Sequence, residues 1–405
     1  MKQLEPLFSL SGDLMDPWRK KARQRCEALG PPPLKSEGFQ YVPLAKWHSR
    51  SHESFQPSYS APEPFSESAS SYLVFTDGAF QPHLSQIPAP LVALPLPLAM
   101  KSYGLFLQNR LQRSLKEETD FFALLNSACH SQGLFLYAPP QTALSSPLHI
   151  IHLSTPNSLS FPRIQLVMGK QANLNIIHSS SSHDHHALID CVLDESARAS
   201  FYDLSLPSPS SWQTQAFRAL LKRDSFLQTF HITTGAETVR TSLKIELAEE
   251  NSEALVQQLS LLSHESESHF HSLVEHQAPH CRSRQHIKSI LQHQSRSSFE
   301  GKIFVRPIAQ KTEAYQNSQT LLLSNEATSY SKPNLEIFAD DVKASHGATI
   351  SQPNAEALFY LRSRGLSHSQ ARSLLVQGFC QELLQSIPYT TIHEKILSTG
   401  ALSFA

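Results

Sequence analysis

KPNLEIFADDVKASHGATISQPNAEALFYLRSRG, running from Lys332 to Gly365, is where the chain changes from one structural pattern to another. Its opening, LEIFA, is a short apolar run of strand type, whereas Ala355 to Arg364 is a helix-length segment stopped by Gly365. Between them lies Asp340-Asp341-Val342-Lys343-Ala344-Ser345-His346-Gly347, which is dense in polar side chains and matches no catalytic motif. Upstream, from about Ala143 to Ile350, LHIIHL, RIQLVMG, NLNIIHS, SFLQTFHIT, SLKIEL, ALVQQLSLL, GKIFVRP and TLLLS recur as alternating or apolar runs that read as strands. They stand about one to two dozen residues apart with no amphipathic helix between them, which favours a stacked β solenoid or a sandwich over an α/β sheet. Periodicity does not choose between those two.

Both ends read as helical. Asp16 is placed to cap WRKKARQRCEAL, with Pro17 at the first helical position and Gly30 closing the segment. A second helix is expected over roughly Thr119 to Gln132, before Gly133, and the Ser/Pro/Glu-rich stretch Ser49 to Ser71 is expected to be an extended surface linker. After Gly365, Ser367 and Gln370 have capping-box spacing, and Ala371, Leu374, Leu375, Phe379 and Leu383 follow at near-helical spacing up to Pro388. Three regions result: 1–142, helical with a linker; 143–350, the β core; and 351–405, helical.

Composition narrows the function classes. The 405 residues carry 34 Lys and Arg against 35 Asp and Glu, so no electrostatic footprint draws nucleic acid or an anionic membrane, and the expected partners are proteins. The cysteines, 5 in number, are scattered without a C-x-x-C pair, which argues for a reducing, cytoplasmic compartment. Ile87 to Met100 is the most apolar run, but it is short and broken by Pro88, Pro90, Pro95 and Pro97. The N-terminal MKQLEPLFSLSGDL lacks the apolar core of a signal peptide. Among 13 glycines there is no G-x-G-x-x-G and no G-x-S-x-G, and Gly169-Lys170 and Gly301-Lys302 lack the rest of a phosphate loop.

Histidine is abundant, with 21 in the chain. His269-Phe270-His271-Ser272-Leu273-Val274-Glu275 has the order of a cupin metal site, in which two imidazoles and a carboxylate share one metal. A cupin-like metalloenzyme centred on His269, His271 and Glu275 is therefore the alternative from another class. However, the glycine expected six positions earlier is Ser263, and the second cupin motif has no counterpart, so solvated strand-face histidines are the stronger expectation. The HDHH run from His183 to His186 is expected in a Ser-rich turn, and Cys380 as a packed core thiol.

Lys332 to Gly365 also resembles the signature of the SufD-type scaffold subunits of the SUF iron–sulfur cluster assembly machinery. Phe299 to Pro307 (FEGKIFVRP), Gln310 to Gln319 (QKTEAYQNSQ) and Leu321 to Ser324 (LLLS) extend that resemblance, as do Tyr72 to Ser85 and Phe121 to Ala128 upstream. It implies a mainly β fold: a right-handed parallel β-helix core flanked by N-terminal and C-terminal helical regions. It implies a non-enzymatic scaffold that pairs with a SufB-like subunit, docks a SufC-like ABC ATPase through its C-terminal helices, and holds no cofactor stably when isolated. A transient iron–sulfur cluster then forms in the complex. Exposed solenoid edges favour a homodimer when the partner is missing.

Ser345-His346-Gly347, rather than the Glu-His-Glu typical of SufB, favours the SufD type. The family pattern commonly has a cysteine two residues before this histidine; here Ala344 replaces it, leaving His346 as the soft-metal-competent side chain of the motif, expected at the cluster-assembly interface. The competing reading makes the segment a last β-helix turn in which Gly347 shapes the backbone and His346 is merely hydrogen-bonded. Phe359, Tyr360, Arg362 and Arg364 are the expected ATPase anchors, with Tyr360 and Arg364 on one helical face and Phe359 and Arg362 toward the β-helix or the following helix.

Overall fold

The computed structural model describes residues 8, 11–33, 36–50, 61–155, 158–180, 183–206 and 209–398. The strands are β1 (Tyr72–Thr76), β2 (Ala79–Phe80), β3 (Val92–Pro95), β4 (Leu134–Ala138), β5 (Leu148–Leu153), β6 (Leu159–Ser160), β7 (Arg163–Met168), β8 (Asn173–Ser180), β9 (Asp184–Leu193) and β10 (Arg198–Ser205). They continue as β11 (Trp212–Leu221), β12 (Phe226–Thr233), β13 (Thr238–Leu247), β14 (Glu253–Leu262), β15 (Glu267–His276), β16 (Arg282–Leu291), β17 (Arg296–Val305), β18 (Thr312–Leu322), β19 (Thr328–Ile337) and β20 (Val342–Ser351). The helices are α1 (Asp16–Leu29), α2 (Leu44–His48), α3 (Leu96–Ser102), α4 (Gly104–Glu117), α5 (Phe121–Cys129), α6 (Ala355–Ser363), α7 (His368–Leu384) and α8 (Thr390–Ser398).

From β7 onward, successive strands alternate between two sheets, and each pairs in parallel with the strand two places further on. This is a β-solenoid, so the sandwich alternative falls. One sheet runs β2-β1-β5-β8-β10-β12-β14-β16-β18-β20, and the other runs β19-β17-β15-β13-β11-β9-β7-β4-β3. Residues 1–142 thus contribute strands that begin both sheets as well as helices.

A repeated corner sets the coil. Gln141, Gln171, Ser196, Asp224, Asn251, His280 and Lys311 all adopt φ between 56 and 61°, one residue per coil. The first six donate their backbone N–H to the carbonyl just before the counterpart in the next coil, for example Ser196 to Arg223 at 2.8 Å and His280 to Gln310 at 2.9 Å, and Lys311 donates to Asp341. The left-handed backbone makes the turn, and the N–H it frees ties adjacent coils together.

Inside the solenoid, alternate side chains of both sheets form one long core that includes Ile176, Cys191, Phe201, Phe217, Leu243, Val256, Phe270 and Ile287. Outside, α7 and α8 cover the first sheet: Val376, Cys380, Leu383, Ile387, Ile392 and Ile396 pack on Tyr202, Phe230, Leu259 and Ile290. On the second sheet, Phe121, Phe122 and Leu124 of α5 and Trp47 of α2 pack around Trp212. Each such apolar side chain contributes roughly 2 kcal/mol relative to exposure. No helix among the described residues is long and apolar enough to cross a membrane.

Local expectations hold in part. Gly30 closes α1 with φ 67° and donates to the Cys26 carbonyl, and Ser367 with Gln370 forms the full capping box of α7. Asp16, expected as a cap, instead lies inside the first turn of α1. There its carboxylate accepts from the Ser11 and Gly12 N–H groups at 3.2 and 2.9 Å and from Arg19 at 2.7 Å. The second N-terminal helix is shorter than expected, because the Asp120 carboxylate caps it by accepting from Phe122 and Ala123. The expected surface linker, described at 49–50 and 61–71, is corrected over 61–71. Phe65 is buried with its ring 4.3 Å from that of His149, and the Glu67 carboxylate accepts from the backbone and hydroxyl of Thr391. The rest of that linker, 51–60, lies outside the described residues.

Candidate functional site

β20 is the last strand of its sheet and β19 the last of the other, so the final coil leaves one edge of each unpaired. Such edges are templates for pairing with another chain. Tyr330, Ile337, Phe338 and Ile350 are exposed on this coil, with Phe338 at 59 %.

His346 sits on β20 opposite Gln316 of β18, which is itself opposite Gln285 of β16. This row faces inward, since Gln316 and Gln285 are buried and Ser272 donates to the side-chain amide oxygen of Gln285 at 2.7 Å. His346 therefore occupies the inward-facing row of the last coil, where no further coil covers it, and it is exposed. Beneath it, both amide atoms of Gln316 lack a hydrogen-bond partner among the described residues. Gly301 makes room for that amide: a Cβ there would lie 2.2 Å from Gln316 Nε2. Gly347 has an ordinary β conformation with φ below zero, and a Cβ there would meet only Asn317 at 3.6 Å. Its backbone thus does not require glycine.

The helical anchors lie directly after this coil. α6 begins at Asn354, whose side chain accepts from the Ala357 N–H, and ends before Gly365 at φ 94°. None of its residues is buried. The Arg364 guanidinium lies over the Tyr360 ring at 5.1 Å, so these two share a face as expected. Phe359 and Arg362, expected to face the β-helix or the following helix, are exposed instead, Phe359 by 75 %, although α6 packs on α7. α7 is the element that is tied down. Lys288 donates to the Phe379 carbonyl and to Glu382 at 3.0 and 2.7 Å, and Arg372 donates to the Leu323 carbonyl. Cys380 is fully buried, and burial pushes its thiol up to about 12, as expected of a core thiol.

His269 and His271 are packed rather than solvated, and of the HDHH run only His183 lies in the turn, which corrects both expectations about them. His269 lies between Ser298 at 2.8 Å and Glu267 at 3.2 Å. His271 lies under the Gly38 backbone, where burial first and Arg240 second lower its pKa to about 4. Glu275 pairs with Arg306 at 2.6 Å. All three belong to β15 (Glu267–His276), an extended strand, so Glu275 stands roughly 20 Å from His269. The cupin-like trio cannot converge on one metal at that separation. Asp184, His185 and His186 of the HDHH run begin β9 and are buried, with His186 bonded to Thr214 at 2.6 Å and to Trp47 at 3.2 Å. Among the described residues, no group of three or more His, Cys, Asp or Glu is placed to hold a metal ion. His346 by itself supplies one ligand.

A second polar constellation lies inside the solenoid, unannounced by any motif. Asp203 of β10 is in register with His178 of β8 and His231 of β12. Its carboxylate accepts from both rings, at 2.6 and 3.0 Å, and His178 Nε2 meets His152 Nε2 at 3.2 Å. Burial opposes the Asp203 charge, but the two imidazole hydrogen bonds outweigh it and hold its carboxyl well below the usual range. Burial, then His178, keeps His152 neutral at ordinary pH.

Comparisons with known proteins converge on one family. Residues 151–379 match the family described as SUF system FeS cluster assembly, SufBD core domain. An iron–sulfur cluster assembly SufBD family protein of Synechocystis is 30% identical over 353 residues, covering 82% of this chain and 77% of its own. The iron–sulfur cluster assembly protein SufD of Escherichia coli is 26% identical over 413 residues, covering 98% of this chain and 95% of its own.

Proposed function

The chain belongs to the SufBD family of iron–sulfur cluster assembly proteins, and from that premise we propose that it is the SufD-type scaffold half of a SUF complex. In this reading the last coil, with the free edges of β19 and β20, pairs with a SufB-like subunit. His346 then lies at the shared interface and supplies one imidazole to iron or to the nascent cluster, which is cargo rather than a resident cofactor. The partner supplies the remaining ligands, since Ala344 offers no thiolate. α6 and α7 dock a SufC-like ABC ATPase, with Tyr360 and Arg364 as the paired anchor and Phe359 and Arg362 beside them. The free state of all five cysteines accords with a cytoplasmic setting.

The observation that carries the reading is the placement of an exposed imidazole at the uncovered end of the solenoid, in a family that assembles iron–sulfur clusters. The test is co-expression of the chain with SufB-like and SufC-like subunits from the same source. His346→Ala should leave the co-purified complex intact while lowering the cluster formed on reconstitution. Wild-type cluster yield from the variant would make His346 structural, and failure to co-purify any partner would overturn the scaffold reading.

A further inference from the structure

A cavity of about 60 Å³ lies between α4 and the outer face of the second sheet, far along the solenoid from the last coil. One wall is a single helical face, Arg110, Arg113, Ser114 and Glu117, spaced three and four apart. The floor is a row in register across three neighbouring strands, Asp190 of β9, Arg218 of β11 and Lys244 of β13, with Glu246 alongside. Glu118, just after α4, closes one end.

Every carboxylate around this cavity is already matched. Glu118 accepts from Arg218 at 2.8 and 3.0 Å. Asp190 accepts from Arg163 at 2.7 Å and from Gln165. Glu246 pairs with Arg113 at 2.5 Å and with Lys244 at 3.0 Å, and Glu117 accepts from Arg113 at 3.1 Å. Arg218 directs two more N–H groups to the carbonyls of Phe217 and Ser242. Arg110, by contrast, makes no hydrogen bond and no ion pair among the described residues. Arg110, Arg113, Arg218 and Lys244 line the cavity against Glu117, Glu118, Asp190 and Glu246, and because Arg163, outside the lining, already pairs with Asp190, Arg110 is the lining cation left without a carboxylate in contact. Burial pushes the Arg110 pKa down, with Asp190 offsetting part of that through space. A half-buried guanidinium with five donors and no acceptor is costly unless something else supplies the acceptor.

We propose that this cavity binds a small oxyanion of the phosphate or sulfate class, with Arg110 as its principal donor and Ser114 and Arg113 at its flank. The size fits this class, because about 60 Å³ against the roughly 10–15 Å³ that holds one water leaves room for a few groups of water size, as in a compact oxyanion. An oxyanion offers the planar guanidinium two acceptor oxygens at once, which water does not, and charge-assisted pairs of that kind are the strong ones.

The test is calorimetric titration of the full chain with sodium phosphate and with sodium sulfate, at ionic strength held constant with sodium chloride. One saturable site is expected, with affinity falling at least tenfold in Arg110→Gln and partly restored in Arg110→Lys. Glu246→Gln, which frees positive charge on Arg113 and Lys244, should instead tighten binding severalfold. This opposite-sign variant keeps the idea testable should Arg110→Gln fold poorly. Absence of saturable heat with either anion, or equal affinities across these variants, would overturn the assignment. Glycerol 3-phosphate distinguishes the source: tighter binding than inorganic phosphate points to a phosphate carried on a larger solute, and equal binding to the free ion.

Discussion

Asp120→Ala should be the most damaging single truncation outside the apolar core. The Asp120 carboxylate caps α5 by accepting from the Phe122 and Ala123 N–H groups at 3.0 and 3.2 Å. It also sits 2.7 Å from Arg240 Nη1 as an ion contact, with both side chains buried. Arg240 in turn donates to the Gly38 carbonyl at 3.1 Å and covers the Phe39 ring, so the same carboxylate fixes the segment that crosses the outer sheet face. Losing the cap costs about 1 kcal/mol. Stranding a buried guanidinium costs about 3–5 kcal/mol, and because one carboxylate serves both roles the total should come to about 4 kcal/mol rather than the full sum. Trp47 and Trp212 lie in the same cluster as Phe121 and Phe122, so urea unfolding followed by tryptophan fluorescence reads the region directly. pH supplies a second arm. Burial resists ionisation of Asp120, but Arg240 and Arg218 overcome it and hold its pKa down to about 2. A depressed carboxyl stabilises fully above its unfolded value near 4, and that contribution is lost as pH falls through about 2. The gap between wild type and Asp120→Ala should therefore be widest at pH 6 and shrink below pH 4. A loss under about 1 kcal/mol at neutral pH, or a gap that does not narrow in acid, would refute this account.

Leu383→Ala removes a fully buried α7 side chain from the outer face of the first sheet and should cost about 2–5 kcal/mol in chemical denaturation. Gly301→Ala drives a Cβ into the Gln316 amide and should cost about 1–3 kcal/mol, with part recovered by adding Gln316→Ala; no recovery would place the strain elsewhere. Tyr360→Ala with Arg364→Ala should abolish pull-down of the ATPase at an unchanged melting temperature, since neither side chain is buried; a lowered melt would make α6 a structural cap. ATP added to the pure chain should give no saturable heat in calorimetry, because the sequence holds no phosphate-cradling loop.

Strand runs and helix stops were legible because each depends on local chemistry. LHIIHL or SLKIEL announces a strand by its own composition, and Gly30, Gly365 and the Ser367/Gln370 pair announce helix ends by conformation and spacing. The coil corners were not legible. They use Gln, Ser, Asp, Asn, His and Lys at positive φ, residues with no shared turn signal, because the N–H bond to the next coil offsets a conformational cost that glycine would otherwise avoid. Histidine environments were misread for a related reason. Alternation places His269 and His271 on the outer face of β15 and does not reveal that Gly38 and its neighbours, far upstream, lie over that face. The same holds for Asp203, whose partners His178 and His231 are 25 and 28 residues away and become neighbours through coil register alone.

The candidate site was legible by resemblance and not by chemistry. His346 has no residue-level mark of function: it lies on a strand like the others, without a catalytic partner nearby in sequence. What distinguishes it is topological. In a solenoid each coil is covered by the next, so inward-facing residues such as Gln285 and Gln316 are committed to the core. The last coil has no successor, and His346, which would be core at any earlier position in its row, becomes surface there. Any partner that continues the sheet from β20 must cover this imidazole and the vacant amide of Gln316 beneath it. A polar row ending at an open edge demands polar complementarity from whatever pairs with it, since burying it against apolar side chains would leave those groups unsatisfied. An apolar replacement of His346 together with Gln316 should therefore weaken partner pairing by more than the sum of the single changes, since His346→Ala alone should leave the complex intact, and additive effects in a double-mutant cycle would show that the row does not act as a unit.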